Sequence, residues 1–306
     1  MNFFKPQFWK NNNFFVFILW PLTLITKIIN VIKKIQNPYR SIIPTICIGN
    51  IYLGGTGKTQ LVLKINQILK EKYNTFVIKK NYQNQLDEQI LLRKKTKLIL
   101  PNKRISGLKS IEKYNKSIAI FDDGLQDKSI KYKVSIVCFN SITGAGNGKI
   151  LPAGPLREDL SELKNYDAIF INGKNNIGLK NLIKDQNKNI KIFSGRYILK
   201  NKRKFSKNSK YLAFCGIGTP ESFFNLLKEN QIIVKKKIIF PDHYDYKVSD
   251  IDKIKRIADL NKCRIVTTEK DYAKIKSFKK LKTTFTEVDL NIDKYSTFKN
   301  FLLSNL

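Results

Sequence analysis

The chain has 306 residues, 57 Lys+Arg against 24 Asp+Glu, a formal net charge of +33 and a hydrophobic fraction of 42%. At roughly 100–200 residues per domain two domains are expected, and this apolar content excludes a fully disordered chain. Gly and Pro are too scarce for a collagen-like or low-complexity chain, and only one apolar stretch nears spanning length, which excludes a polytopic membrane protein.

The positive charge points to an anionic partner: nucleic acid, an acidic membrane surface or a phosphorylated substrate. The lysines are scattered through a Lys-, Asn- and Ile-rich chain, so compositional drift is the competing explanation. A nucleic-acid-binding protein needs a basic stripe interleaved with aromatics. No such stripe is visible, and nucleic acid is not expected as a partner. The four cysteines, Cys47, Cys138, Cys215 and Cys263, are far apart, and no C-x-x-C occurs. Neither a disulfide framework nor a zinc site is expected, which fits a reducing cytosol.

In chain order, residues 14–22 read FFVFILWPL, and Lys5, Lys10, Lys27, Lys33, Lys34 and Arg40 surround them. The run is too short for the roughly 20 apolar residues of a membrane span. No small-residue cleavage pattern follows it, as a signal peptide would require. An interfacial anchor, with Trp9 and Trp20 near headgroup level, is one reading. A helix packed on the protein's own core is the other.

Strands are expected at 42–48, 75–78, 117–121, 134–139 and 168–172, with helices at 60–73 and from 87 to 93. This βαβ rhythm predicts a parallel sheet covered by helices. The polar basic stretch 201–210 (NKRKFSKNSK) reads as a boundary. A second α/β unit follows, with strands at 211–215, 232–240 and 264–267 and helices at 220–229 and 249–260. The expected division is 1–40 (N-terminal helical segment), 41–200 (first α/β domain) and 201–306 (second, closing over the site).

After the first strand comes Tyr52-Leu53-Gly54-Gly55-Thr56-Gly57-Lys58-Thr59. Glycines let consecutive backbone N–H groups face phosphate oxygens, and the following helix adds the positive end of its dipole. Lys58 would reach the β- and γ-phosphates, and the Thr59 hydroxyl would bind Mg²⁺. The strict phosphate-loop pattern fails at its first position, Tyr52, while the strand–loop–helix context is right. A Gly-rich turn with a chance Lys-Thr is the alternative.

The strand 117–121 runs into Asp122-Asp123-Gly124-Leu125-Gln126. An acid there holds Mg²⁺ in phosphate-loop folds, and two adjacent carboxylates repel without a nearby cation. A capped β-turn is the alternative. The segment LPAGPLRE ends in Arg157 and Glu158. Arg157 suits a bidentate phosphate clamp and Glu158 suits Mg²⁺ support; a surface salt bridge explains both equally. The only histidine, His243, sits in FPDHYD, where acidic neighbours would raise its pKa. A structural role is its ordinary reading. TTEKD (267–271) follows a strand and is also an ordinary helix start.

Together GNIYLGGTGKT, LDEQILL, FDDGLQD, GAGNGKILPAGPLRE, FCGIGTPESFF, FPDHYDY and TTEKDYAK closely resemble the tetraacyldisaccharide 4′-kinase family. The resemblance implies a phosphate-loop NTPase-like parallel-sheet domain, a second, smaller α/β domain and an N-terminal membrane-associated helix. It implies ATP and Mg²⁺ as cofactors and γ-phosphoryl transfer to the 4′-hydroxyl of an acylated glucosamine disaccharide 1-phosphate in lipid A biosynthesis. The expected location is the cytoplasmic face of the bacterial inner membrane, on an anionic surface, with no obligate protein partner. By the same resemblance Asp87 takes the role of base and His243 that of its partner. The chain also departs from the family pattern. Ser-Arg-Gly-Tyr becomes Lys79-Lys80-Asn81-Tyr82, the linker to Asp87 is shorter, and DDGLQH ends on Asp127. A membrane-surface ATPase switch without lipid phosphorylation is the alternative function.

Overall fold

The computed structural model describes residues 5–35, 37–206, 208–276, 278 and 281–306. Residues 1–4 and 36 of the expected N-terminal segment, 207 of the expected boundary and 277, 279 and 280 of the expected second domain lie outside the described residues.

In chain order the elements begin with helices α1 (Phe14–Leu19) and α2 (Thr23–Lys34). Then come β1 (Tyr39–Arg40), β2 (Thr45–Gly49), α3 (Lys58–Leu69), β3 (Asn74–Lys79), α4 (Leu86–Lys95), β4 (Leu98–Ile99), α5 (Arg104–Ile111) and β5 (Ser117–Asp122). They continue with β6 (Ile130–Lys131), β7 (Val134–Asn140), β8 (Ala168–Asn172), α6 (Ile177–Gln186), β9 (Lys191–Leu199), β10 (Lys210–Cys215) and α7 (Pro220–Glu229). Last are β11 (Ile233–Ile239), α8 (Val248–Leu260), β12 (Arg264–Thr268), α9 (Glu269–Ile275), β13 (Thr283–Thr286), β14 (Val288–Ile292) and α10 (Tyr295–Ser304).

Two compact units result. The larger holds Lys5–Tyr82, Leu92–Arg196 and Ile292–Leu306; the smaller holds Gln83–Leu91 and Tyr197–Asn291. Linear boundaries at 40 and 200 therefore differ from the units in three ways, the first being that the larger unit runs unbroken over Lys5–Tyr82, with no division at 40. A nine-residue excursion from the middle of the chain joins the second unit, and the C-terminal helix returns to the first. That return is made by aromatic packing: the Phe298 ring lies 4.9 Å from Phe193 and 6.0 Å from Phe170, all edge-on.

The larger unit is built on strands in the order β9-β8-β7-β2-β5-β3-β4, parallel throughout. Strand β5 is buried at every residue, as a strand covered on both faces must be. Its register sets Asp122 opposite Ile48 on one side and Lys79 on the other. The carboxyl ends of β2, β3 and β5 therefore meet, where open α/β sheets present ligand-facing groups. The first strand starts at Thr45 rather than 42, because Pro44 has no N–H to give the ladder and Ile42 is exposed. Helix α3 starts two residues earlier than expected, straight after Gly57, whose φ of 90° only glycine adopts readily.

The smaller unit carries a parallel sheet in the order β11-β10-β12-β13. One core, around Phe223, Phe224 and Leu227, covers one side, and another, around Ile251, Ile254 and Ile275, covers the other.

Helix α2 turns its polar side inward. The Thr26 hydroxyl donates to the Leu151 carbonyl at 2.8 Å, and Asn30 Nδ2 donates to that of Arg157 at 2.9 Å. Ile25, Ile28, Ile29 and Ile32 face out and are exposed, as are Phe14, Phe17 and Trp20 before them. The apolar side of this pair of helices is thus not packed on the protein's own core. Among the described residues no helix is long and apolar enough to cross a membrane.

Candidate active site

In the larger unit the loop between β2 and α3 is shaped by Gly54 (φ 119°) and Gly57 (φ 90°). It is held from beneath by Asn50, whose amide donates to the carbonyls of Tyr52 and, at 3.1 Å, Gly54. The LPAGPLRE segment lies alongside: Leu53 N donates to Pro155 O at 2.8 Å, and Tyr52 forms an antiparallel bridge with Leu156. Lys58 Nζ donates to Asn50 Oδ1 at 2.9 Å and stands 3.6 Å from Asp123. The Thr56 hydroxyl is buried and makes no hydrogen bond among the described residues. A buried hydroxyl in that condition fits an absent polar ligand such as a phosphate oxygen.

The acidic segment after β5 meets this loop directly. Thr59 Oγ1 lies 3.5 Å from Asp122 Oδ2. Lys79 Nζ reaches the same oxygen at 3.1 Å, in a pair whose side chains are 1% and 0% exposed. Asp123 has φ 62°, and its carboxylate takes Arg157 Nη1 at 3.1 and 3.3 Å. Arg157 also donates to Gln126 Oε1 at 3.2 Å, while Gln126 Nε2 donates to Asn50 O at 3.1 Å. Asp127 pairs with Arg104 at 3.1 Å and holds its proton less tightly than a free carboxyl: burial raises its pKa, but bonds from Ser129 and the Arg104 charge outweigh that.

The structure brings Lys58, Thr59, Asp122, Asp123 and Arg157 together. Glu158 is buried and accepts a hydrogen bond from the Tyr166 hydroxyl, whose proton is held far more tightly than usual through burial and the Glu158 charge. Among the described residues no three His, Cys, Asp or Glu side chains gather as a metal-ligand set. Thr59 and Asp122, whose side-chain oxygens lie in contact, are the residues that could hold Mg²⁺.

In the smaller unit Asp87 sits in the first turn of α4 and is 2% exposed. His243 Nδ1 lies 3.0 Å from Asp87 Oδ1. Lys274 Nζ is 3.9 Å from its other oxygen, and Lys270 binds the neighbouring Glu88 at 2.5 Å. Burial opposes charge on Asp87, but the His243 hydrogen bond and the Lys270 charge outweigh it, leaving its pKa below the usual carboxylate value. His243 has φ 57°, and its backbone N–H donates to Gly216 O at 3.2 Å. Gly216 N–H in turn donates to both carboxylate oxygens of Asp271 at 3.1 Å, and Tyr246 OH donates to Asp271 at 2.9 Å. The TTEKD and FPDHYDY motifs are therefore one network around the His243 loop.

Several members escaped sequence reasoning. Lys79 stood only as a departure from a motif. Asn50, Gln126 and Arg104 carried no local signal. Lys270 and Glu88 lay within quoted motifs without a role, though charged residues flanking a candidate acid are a usable signal.

The family model described as tetraacyldisaccharide-1-P 4′-kinase matches residues 15–306. A tetraacyldisaccharide 4′-kinase of Pelagibacter ubique is 43% identical over 304 residues, which cover 98% of this chain and 97% of that protein. Another, of Rickettsia bellii, is 33% identical over 290 residues, covering 88% and 89%. Among solved structures, LpxK from Aquifex aeolicus in complex with ATP shares the fold with a TM-score of 0.68 at 22% identity, over 95% of this chain and 99% of its own.

Proposed function

Since this chain belongs to the tetraacyldisaccharide-1-P 4′-kinase family, we propose that it transfers the ATP γ-phosphoryl group to the 4′-hydroxyl of an acylated glucosamine disaccharide 1-phosphate. The observation that carries a kinase rather than an ATPase switch is the Asp87–His243 pair. A buried carboxylate kept ionised by an imidazole and two lysines can accept the proton of an attacking alcohol.

Phosphoryl transfer asks for positioning and charge neutralisation. Backbone amides of residues 54–59, Lys58 and Arg157 bind and orient the ATP phosphates. Asp123 holds Arg157 and, through it, Gln126 in place. Thr59 and Asp122 would hold Mg²⁺, with Glu158 in support. Such an ion, when bound, would supply charge neutralisation for the phosphate groups. Asp87 accepts the hydroxyl proton, and His243 orients its carboxylate. The outward apolar side of α1 and α2, with Lys27 and Lys33 beside it, seats the enzyme peripherally on the anionic cytoplasmic face of the inner membrane.

The test is a lipid-kinase assay with γ-labelled ATP, Mg²⁺ and acylated disaccharide 1-phosphate, run beside Asp87→Ala. Label in the lipid, lost in the variant, supports both reaction and base. Label in both discards Asp87. ATP hydrolysis with no labelled lipid overturns the kinase reading in favour of the ATPase switch.

A further inference from the structure

Lys79 ends β3 and pairs in register with Asp122 at the end of β5. Its ammonium is 3.1 Å from Asp122 Oδ2, and neither side chain reaches solvent to more than 1%. Burying a lysine is costly unless a partner charge meets it, and Asp122 does so here. The same oxygen also faces the Thr59 hydroxyl, 3.5 Å away. The Lys79 amine therefore stands on the carboxylate that, with Thr59, could hold Mg²⁺.

The neighbouring carboxylates follow the same pattern. Asp123 takes Arg157 at 3.1 Å with Lys58 at 3.6 Å, and Asp127 takes Arg104 at 3.1 Å. Four cations thus meet the three carboxylates of the acidic segment. Among these described residues the cations outnumber the carboxylates by one, beside a loop with a glycine-shaped backbone and a buried Thr56 hydroxyl. Two adjacent acids beside a phosphate loop would otherwise repel an incoming nucleotide.

We propose that Lys79 is a built-in counter-ion of the nucleotide site, a positioning residue that holds Asp122 and lets nucleotide phosphates bind with little dependence on divalent metal. The inference rests on reading residues 54–59 as the nucleotide loop. It separates two uses of Mg²⁺: the metal serves the transfer step, while binding relies on the chain's own cations.

The test measures ADP binding by calorimetry in EDTA and in excess Mg²⁺, on the full chain. For the wild-type protein the two dissociation constants should lie within about tenfold. In Lys79→Met and Lys79→Ser, metal-free binding should weaken by about tenfold or more, and binding with Mg²⁺ by less than about threefold. Lys79→Arg, which keeps the charge, should retain most metal-free binding. Should the neutral single variants fail to fold, Lys79→Met/Asp122→Asn removes both charges together. That double variant should bind ADP in EDTA within about threefold of wild type and gain little from Mg²⁺. An unchanged EDTA-to-Mg²⁺ ratio in Lys79→Met, or a double variant that loses metal-free binding, would reduce Lys79 to a structural ion pair. A wild-type protein that binds ADP under neither condition overturns the nucleotide-loop reading, and this inference with it.

Discussion

His243 Nδ1 and Asp87 Oδ1 stand 3.0 Å apart, joining residues 156 positions distant in the chain. The carboxylate is buried, and the imidazole is held at its backbone by Gly216. A carboxylate so placed is ionised and oriented before any substrate arrives. Asp87→Asn keeps the shape and removes the proton acceptor. It should lower the phosphoryl-transfer rate by about 10²–10⁴-fold, the usual worth of a positioned base, with nucleotide affinity unchanged. A rate within about threefold of wild type, measured with labelled ATP and lipid acceptor, would remove Asp87 from the chemistry.

The same pair makes stability depend on pH in a defined direction. Burial disfavours the imidazolium, but the Asp87 hydrogen bond and the charges of Asp242, Asp87 and Glu88 outweigh it, so the His243 pKa lies above its ordinary 6.5. The folded protein therefore binds this proton more tightly than the unfolded chain. The resulting stabilisation is complete below the unfolded value and is lost as pH rises through the folded one. Asp87, shifted downward from 3.8, stays charged over that whole range and contributes no slope there. His243→Gln should thus melt further below wild type at about pH 6 than at about pH 8.5. Equal deficits at the two values would show that the imidazole carries no bound proton beside Asp87.

How far these features could be read in advance differs from residue to residue. The loop 54–59 was legible because its chemistry is local: glycines, Lys and Thr in consecutive positions between a strand and a helix. Asp122 was legible for the same reason, being the first acid after a wholly apolar run. Asp87 and His243 carry no such signal, and only the family resemblance joined them. Lys79 was not legible as a functional group at all. Its burial follows from β3 lying beside β5, a fact of sheet order rather than of the residues around it. The return of Ile292–Leu306 to the larger unit was hidden similarly, since an amphipathic C-terminal helix fits any apolar surface locally.

Helix α2 places the proposed membrane-binding residues and the packing residues on opposite sides. Ile28 and Ile32 are 58% and 59% exposed, so charges there should leave the fold intact. Each buried isoleucine is worth about 1.5–3 kcal/mol on leaving water. Ile28→Glu/Ile32→Glu should therefore lower binding to vesicles containing anionic lipid by about 100-fold, with little change in melting temperature. Thr26→Ala, on the inward side, should do the reverse: about 1 kcal/mol less stable, with vesicle binding retained. Sedimentation with vesicles and thermal melts decide it, and vesicle binding that survives both glutamates would detach this surface from any membrane role.

Lys270 tests whether the charges around Asp87 serve the reaction or only the fold. Its ammonium meets Glu88 at 2.5 Å, with side-chain exposures of 26% and 13%, and its own proton is held tightly because Glu88 and Asp87 outweigh its desolvation. Lys270→Met removes the cation and leaves Glu88 without that partner, which should cost about 1–2 kcal/mol at this partly buried site. Lys270→Met/Glu88→Gln removes both charges, so stability should recover to within about 0.5 kcal/mol. Activity should not recover with it. Lys270 is one of the charges that keep Asp87 ionised, so the double variant should require a higher pH to reach half its maximal rate, in the direction of a raised Asp87 pKa. A double variant restored in both stability and pH profile would confine the Lys270–Glu88 pair to the architecture of the smaller unit.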